Sequence, residues 1–113
     1  MKPTCILTIK KTLHLKTLGL LALDPDFSIP EGFPTHHIIE EVIVRRPDGT
    51  ERKVSAQFAM SRLSLNISDP ALIFDKRLRI RVSLLDTVPE EIPIGSEILV
   101  FSDLARSLVQ YTV

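Results

Sequence analysis

Three arginines alternate with apolar residues in KRLRIRVSLL, residues 76–85, and they are the most suggestive chemical group in the chain. Arg77, Arg79 and Arg81 are two residues apart, so in an extended strand their side chains share one face at intervals of about 6.6–7 Å. Guanidinium groups at this spacing can bind successive phosphates of a nucleic acid or the carboxylates of an acidic protein. The same pattern is also typical of the solvent-facing side of a strand, where arginines pair with acidic residues across strands.

A second group of basic side chains flanks a predicted hairpin turn. The sequence PDGT (47–50) has the proline, aspartate and glycine of a tight turn, and extended segments lie on both sides of it. We therefore predict a β-hairpin over residues 37–60. Four basic residues flank its turn: Arg45, Arg46, Arg52 and Lys53. If this hairpin lies beside the arginine strand, the domain carries a basic stripe.

The segment DPDFSIPEGFPTHH (24–37) has three prolines and a glycine, a composition typical of an irregular loop. Apolar side chains in a loop either fold back on the core or contact a partner. We expect Phe27 and Phe33 to be exposed and to contact a protein partner or a second copy of the chain.

Residues that could perform catalysis or bind metal are sparse. The glycines are dispersed, and there is neither a nucleophile-elbow pattern nor a paired-cysteine or zinc-helix motif. Asp24 and Asp26 could offer oxygen ligands, with His36 or His37 nearby, which leaves a small metal-dependent enzyme as a minor alternative. We predict no cofactor, no metal site and no enzymatic activity.

Composition indicates a folded globular domain spanning residues 1–113. The chain has 14 basic and 14 acidic side chains, so no net charge attracts nucleic acid or an anionic membrane. Its single cysteine fits a reducing compartment, and we expect a cytoplasmic protein with that residue buried in the first strand. The short apolar run LGLLAL (18–23) follows scattered lysines, unlike a signal peptide, and no stretch is long enough to span a membrane.

The remaining pattern indicates an all-β fold. About six short strands separated by turn residues favour a small single-domain β-barrel, with a β-sandwich as the alternative. For the C-terminus the sequence allows two alternatives: a short helix capped by Ser102 or Asp103, or a last strand at residues 107–113. The predicted core consists of Ile6 or Leu7, Leu21, Val42, Val44, Val54, Phe58, Leu78, Ile80, Val82, Ile98 and Val100.

The segment IPIGSEILV (92–100) resembles the second-domain β-barrel of elongation factor Tu-like translation proteins, at the step where a glycine and a polar residue precede an apolar strand. The resemblance implies a small barrel with a surface of the kind that this family uses for domain packing and for contacts with the RNA and tRNA machinery. The family's Gly-Arg-Gly step has no counterpart in LALDPDFSIP (21–30), so the resemblance bears on fold alone.

These observations predict a non-enzymatic protein-interaction or self-association module, with a nucleic-acid-binding β-barrel as the alternative. The candidate binding residues are Arg77, Arg79, Arg81, Arg45, Arg46, Phe27 and Phe33.

Overall fold

A curled, antiparallel, seven-stranded sheet forms a half-barrel in the computed structural model, which describes residues 2–63 and 74–110. The strands are β1 (Thr4–Thr8), β2 (Lys11–Leu15), β3 (Leu20–Asp24), β4 (Ile38–Arg45), β5 (Glu51–Leu63), β6 (Phe74–Leu85) and β7 (Glu97–Val100). Their order in the sheet is β1-β7-β4-β5-β6-β3-β2. The predicted all-β, barrel-like fold is confirmed.

The two end strands of the sheet are consecutive in the chain, which brings the ends of the sheet together. Only Ile9 and Lys10 separate β1 from β2. The amide of Ile9 donates to the carbonyl of Ser96, at 2.8 Å, whereas the amide of Lys10 donates to the carbonyl of Asp24, at 2.9 Å. The chain therefore bends at this point and changes partner from β7 to β3, which curls the sheet around its core.

The predicted hairpin is confirmed as β4 and β5, paired from Ile38↔Phe58 to Arg45↔Glu51. Its turn closes through a 2.8 Å hydrogen bond from the Arg46 amide to the Thr50 carbonyl. Gly49 has a φ of 89°, a left-handed conformation that glycine adopts without a steric cost.

The inner face of the half-barrel buries nearly all of the predicted core. The buried members are Ile6, Leu7, Leu21, Val42, Val44, Val54, Phe58, Ile80, Val82, Ile98 and Val100. The prediction for Leu78 is wrong, since this residue is 42 % exposed. It lies near the start of β6, next to the irregularity in the β5–β6 register between Ser61 and Leu63, so its side chain is beyond the packed interior.

Cys5 is exposed, so the prediction that it is buried is also wrong. The register of β1 against β7 shifts between Cys5 and Leu7, which places Ile6 and Leu7 together in the core. A bulge of this kind interrupts the two-residue alternation on which the prediction depended.

Residues 103–110 are helical, which decides the alternative that the sequence left open for them. Helix α1 spans Asp103–Gln110 and buries Ala105 and Leu108. Ser102 caps it, because its Oγ accepts a 3.0 Å hydrogen bond from the Ala105 amide. None of the helices in residues 2–63 and 74–110 is long and apolar enough to cross a membrane. The sequence Ser68-Asp69-Pro70 also predicts a turn, and these residues lie outside the ones that the structure describes.

Candidate functional site

Arg79 and Arg81 bind carboxylates of the chain itself. Arg79 Nε donates to Asp26 Oδ1 at 2.9 Å, and an amino group of Arg81 approaches Asp26 Oδ2 at 3.3 Å. Arg81 Nη1 also donates to the Leu23 carbonyl at 2.7 Å and lies 3.7 Å from Asp24 Oδ1. Through these contacts, the two arginines hold the start of the 24–37 segment against β6.

The Arg81 side chain is buried, which has an electrostatic consequence. Burial lowers the pKa of the guanidinium, while the charges of Asp26 and then Asp24 oppose this effect. A buried cation held by two carboxylates and a carbonyl contributes to the fold, and its charge is largely compensated before any ligand arrives. The side chain of Arg77 lies outside the described residues.

The arginines near the hairpin turn have partners within the chain as well. Arg45 Nη2 lies 2.9 Å from Glu97 Oε1, and Arg46 Nε donates to the Glu91 carbonyl at 2.9 Å. Arg52 pairs with the Glu91 carboxylate. The hydrogen bond from Arg45 is the main cause that lowers the pKa of Glu97. These contacts pair Arg45 with β7 and join Arg46 and Arg52 to the turn before it, while the side chains of Arg45 and Arg52 remain 39 % and 43 % exposed.

Phe27 and Phe33 lie in the core, with exposures of 4 % and 7 %, so the expectation that they are exposed is wrong. The backbone of Phe27 pairs with Ile80, through N···O distances of 2.9 and 2.8 Å. Phe27 therefore pairs with β6 on the same side as β3, past the point where β3 ends, and its ring is buried in the core. The 24–37 segment, which we predicted to be a contact surface, therefore packs Phe27 and Phe33 against the core of the half-barrel.

The minor alternative of a metal site has little in its favour in the described part of the chain. That part contains no group of three or more His, Cys, Asp or Glu side chains positioned to hold a metal ion. Asp24 and Asp26 face the arginines, and His36 and His37 are exposed.

Sequence reasoning missed an apolar surface on the outer face of the sheet. Residues in direct register share a face, and Leu13, Ala22, Ser83 and Gln57 follow one another across β2, β3, β6 and β5. In the next row Leu15 faces Leu20, which faces Leu85. We call Leu13, Leu15 and Leu20 of this face, together with the exposed Leu18 in the turn between β2 and β3, the leucine surface.

The signal for this surface was present in β3, whose sequence is LLALD. Leu21 and Leu23 point into the core, while Leu20 and Ala22 lie on the outer face. A strand with apolar residues on both sides is typical of a strand covered on both sides. On the outer face of β3, Ala22 is buried and Leu20 is half-buried, whereas Leu13 of the neighbouring β2 is 36 % exposed and Leu18, in the turn between β2 and β3, is 67 % exposed.

A groove of about 150 Å³ crosses the outer face beside the leucine surface. Small side chains of Ala22, Ala59 and Ser83 contribute to its lining, and they stand next to larger neighbours. The complete lining consists of Leu15, Leu20, Ala22, Gln57, Ala59, Met60, Ser61, Arg81 and Ser83. The groove thus joins apolar side chains to hydroxyl, amide and guanidinium groups.

Comparisons with protein-family models, with characterised proteins and with solved structures gave no match to this chain.

Proposed function

We propose that this protein is a non-enzymatic interaction module that binds a protein partner through the leucine surface. The observation that carries the proposal is a group of apolar side chains left accessible beside the outer face of the sheet: Leu13 and Leu18 are 36 % and 67 % exposed, and Leu15 and Leu20 are half-buried. Exposed apolar side chains gathered on one face of a domain are typical of a contact surface. Burying them against a partner would contribute roughly 25 cal/mol per Å² of apolar area.

The proposal moves the contact away from the 24–37 segment. The burial of Phe27 and Phe33 leaves that segment without its predicted apolar anchors, whereas Leu13 and Leu18 stay accessible. A nucleic-acid-binding function has less support, because Arg79 and Arg81 already bind Asp26. We retain the cytoplasm as the proposed location on the basis of the single cysteine.

Site-specific photo-crosslinking in the source cells tests the proposal. A benzophenone amino acid replaces Leu18 in one variant and Ile94, which is also exposed but precedes β7, in the control. We expect position 18 to crosslink to a defined protein that position 94 does not capture. That protein, once identified and purified, should bind the wild-type chain.

The double variant Leu13→Glu, Leu18→Glu should weaken binding to the purified partner by at least about tenfold, because two charges would enter an apolar contact. Ile94→Glu should leave it within about twofold, as expected for a residue outside the contact. Equal crosslinking at both positions, or unchanged binding of the double variant, would contradict the proposal.

A further inference from the structure

We propose that the groove on the outer face is a subsite for one aliphatic side chain and the adjacent peptide group of an extended, acidic segment of the partner. This inference rests on the proposed function and adds the chemistry of the segment that is bound. Three features of the groove carry it: the polar side chains of Gln57 and Ser83, the size of the groove, and the charges near it.

Gln57 and Ser83 face each other across β5 and β6 and line the groove. Ser83 is only 5 % exposed, yet within residues 2–63 and 74–110 neither its hydroxyl nor the Gln57 amide has a side-chain hydrogen-bond partner. Neither group belongs to the fully buried polar atoms that lack a partner in the described residues, so both can be reached from the groove. A side-chain amide can donate to one carbonyl and accept from one N–H, which are the two groups that a peptide backbone presents.

The size of the groove limits what it can hold. At about 150 Å³ it is well below the roughly 300–1,000 Å³ of pockets that enclose drug-sized ligands. It suits a single aliphatic side chain, which would contact Leu15, Leu20 and Ala59 while its backbone lies over Gln57. Such an anchor in a shallow pocket is a common centre of a protein interface.

The surrounding charge favours an acidic segment. Lys10, Lys11 and Lys16 are exposed, and none of them forms an ion pair with a described residue. Lys11 belongs to β2, the strand that carries Leu13 and Leu15, and Lys16 follows directly after it. Lys16 directly follows Leu15, which lines the groove, so a carboxylate beside the aliphatic anchor would meet an exposed ammonium group there.

The curvature of the sheet favours an extended segment over a second copy of the chain. The core occupies the inside of the half-barrel, so the groove lies on the convex side. Two convex faces touch over a small area, whereas stable interfaces bury about 800 Å² on each partner. An extended peptide can follow the convex surface and enter the groove.

Titration of the ¹⁵N-labelled protein with acetyl-Glu-Leu-Glu-amide, followed by NMR, tests the inference. We expect saturable shifts at the amides of Gln57, Ala59 and Ser83, with a Kd of roughly 1 mM for so small a probe. Ala59→Leu fills the groove and should abolish these shifts. Ser55→Leu adds the same side chain at an exposed position of β5 that is four residues before Ala59. Because Ser55 does not line the groove, this variant should leave the Kd within about twofold.

Two further measurements separate the contributions. Acetyl-Lys-Leu-Lys-amide should bind at least about fivefold more weakly, because its charges repel the lysines. Ser83→Ala keeps the groove open and should weaken binding by roughly three- to tenfold, which provides a second test if Ala59→Leu does not fold.

The inference is overturned if the acidic peptide gives no saturable shifts up to about 20 mM, a concentration well above the expected Kd. It is also overturned if the groove variants bind as the wild type does, or if the shifts map elsewhere. If crosslinking from position 18 still captures a partner whose binding depends on Leu13 and Leu18, the proposed function survives and only the chemistry of the groove is wrong.

Discussion

At the scale of single residues, the contacts of an arginine decide its role, and its spacing alone does not. Arg79 and Arg81 share a face, as the alternation of KRLRIRVSLL predicts. The same face carries Asp24 and Asp26 from a neighbouring segment, and Asp26 contacts both arginines. The pair therefore stabilises the junction between β3 and the following loop.

We predict that Asp26→Asn lowers the free energy of unfolding by about 1–3 kcal/mol, the range for hydrogen bonds to charged groups. The reason is that the substitution removes the carboxylate shared by Arg79 and Arg81, the second of which is buried. Denaturation by urea at pH 7 measures the change. The matched control is Glu41→Gln, because Glu41 pairs with Lys53 at 4.0 Å and both side chains are largely exposed. If the two variants lose the same stability, the network around Arg81 has no structural role.

At the scale of an element, α1 depends on its first residues. The hydroxyl of Ser102 accepts from the Ala105 amide and donates to Glu40 Oε1 at 2.7 Å, so it joins the helix start to β4. We predict that Ser102→Ala destabilises the protein by about 0.5–2 kcal/mol, the range for loss of an N-cap. Thermal unfolding followed by circular dichroism measures it.

Ser107→Ala is the control for that prediction, since Ser107 lies inside the same helix and its hydroxyl only donates to the Leu104 carbonyl. Such internal bonds compete with the helix and contribute little. We expect this variant to unfold near the wild-type temperature, and a larger loss for Ser107→Ala than for Ser102→Ala would refute the assignment of the cap.

At the scale of the whole molecule, basic and acidic residues balance, and in the described part of the chain Arg45, Arg52, Arg79 and Arg81 are paired with carboxylates. We predict that fluorescence anisotropy with a labelled single-stranded RNA and a labelled duplex DNA shows no specific, salt-sensitive binding at low salt. The triple variant with Arg77, Arg79 and Arg81 replaced by Gln should give the same traces. Binding that falls steeply with salt and that the variant loses would establish the arginine row as a nucleic-acid surface.

The sequence by itself determined the fold class and most of the core. Alternation with a period of two in β5 and β6 specifies which side chains turn inward, as for Phe58 and Ile80, because the side-chain period of a strand is fixed by its backbone. The turn at residues 47–50 was equally predictable, because the sequence PDGT is typical of a tight turn and its glycine can adopt the left-handed φ that Gly49 has in the structure. These are local properties, and each was read within a few neighbouring residues.

Only the tertiary structure decided the environment of the candidate site. The bulge after Cys5 depends on β7, and the burial of Phe27 depends on backbone bonds to Ile80, which is far away in the chain. Likewise, the pairing of Arg81 with Asp24 and Asp26, and the alignment of Ser83 with Gln57, require β3, β5 and β6 to be side by side. Contacts between distant segments follow from strand order, and local periodicity does not encode that order.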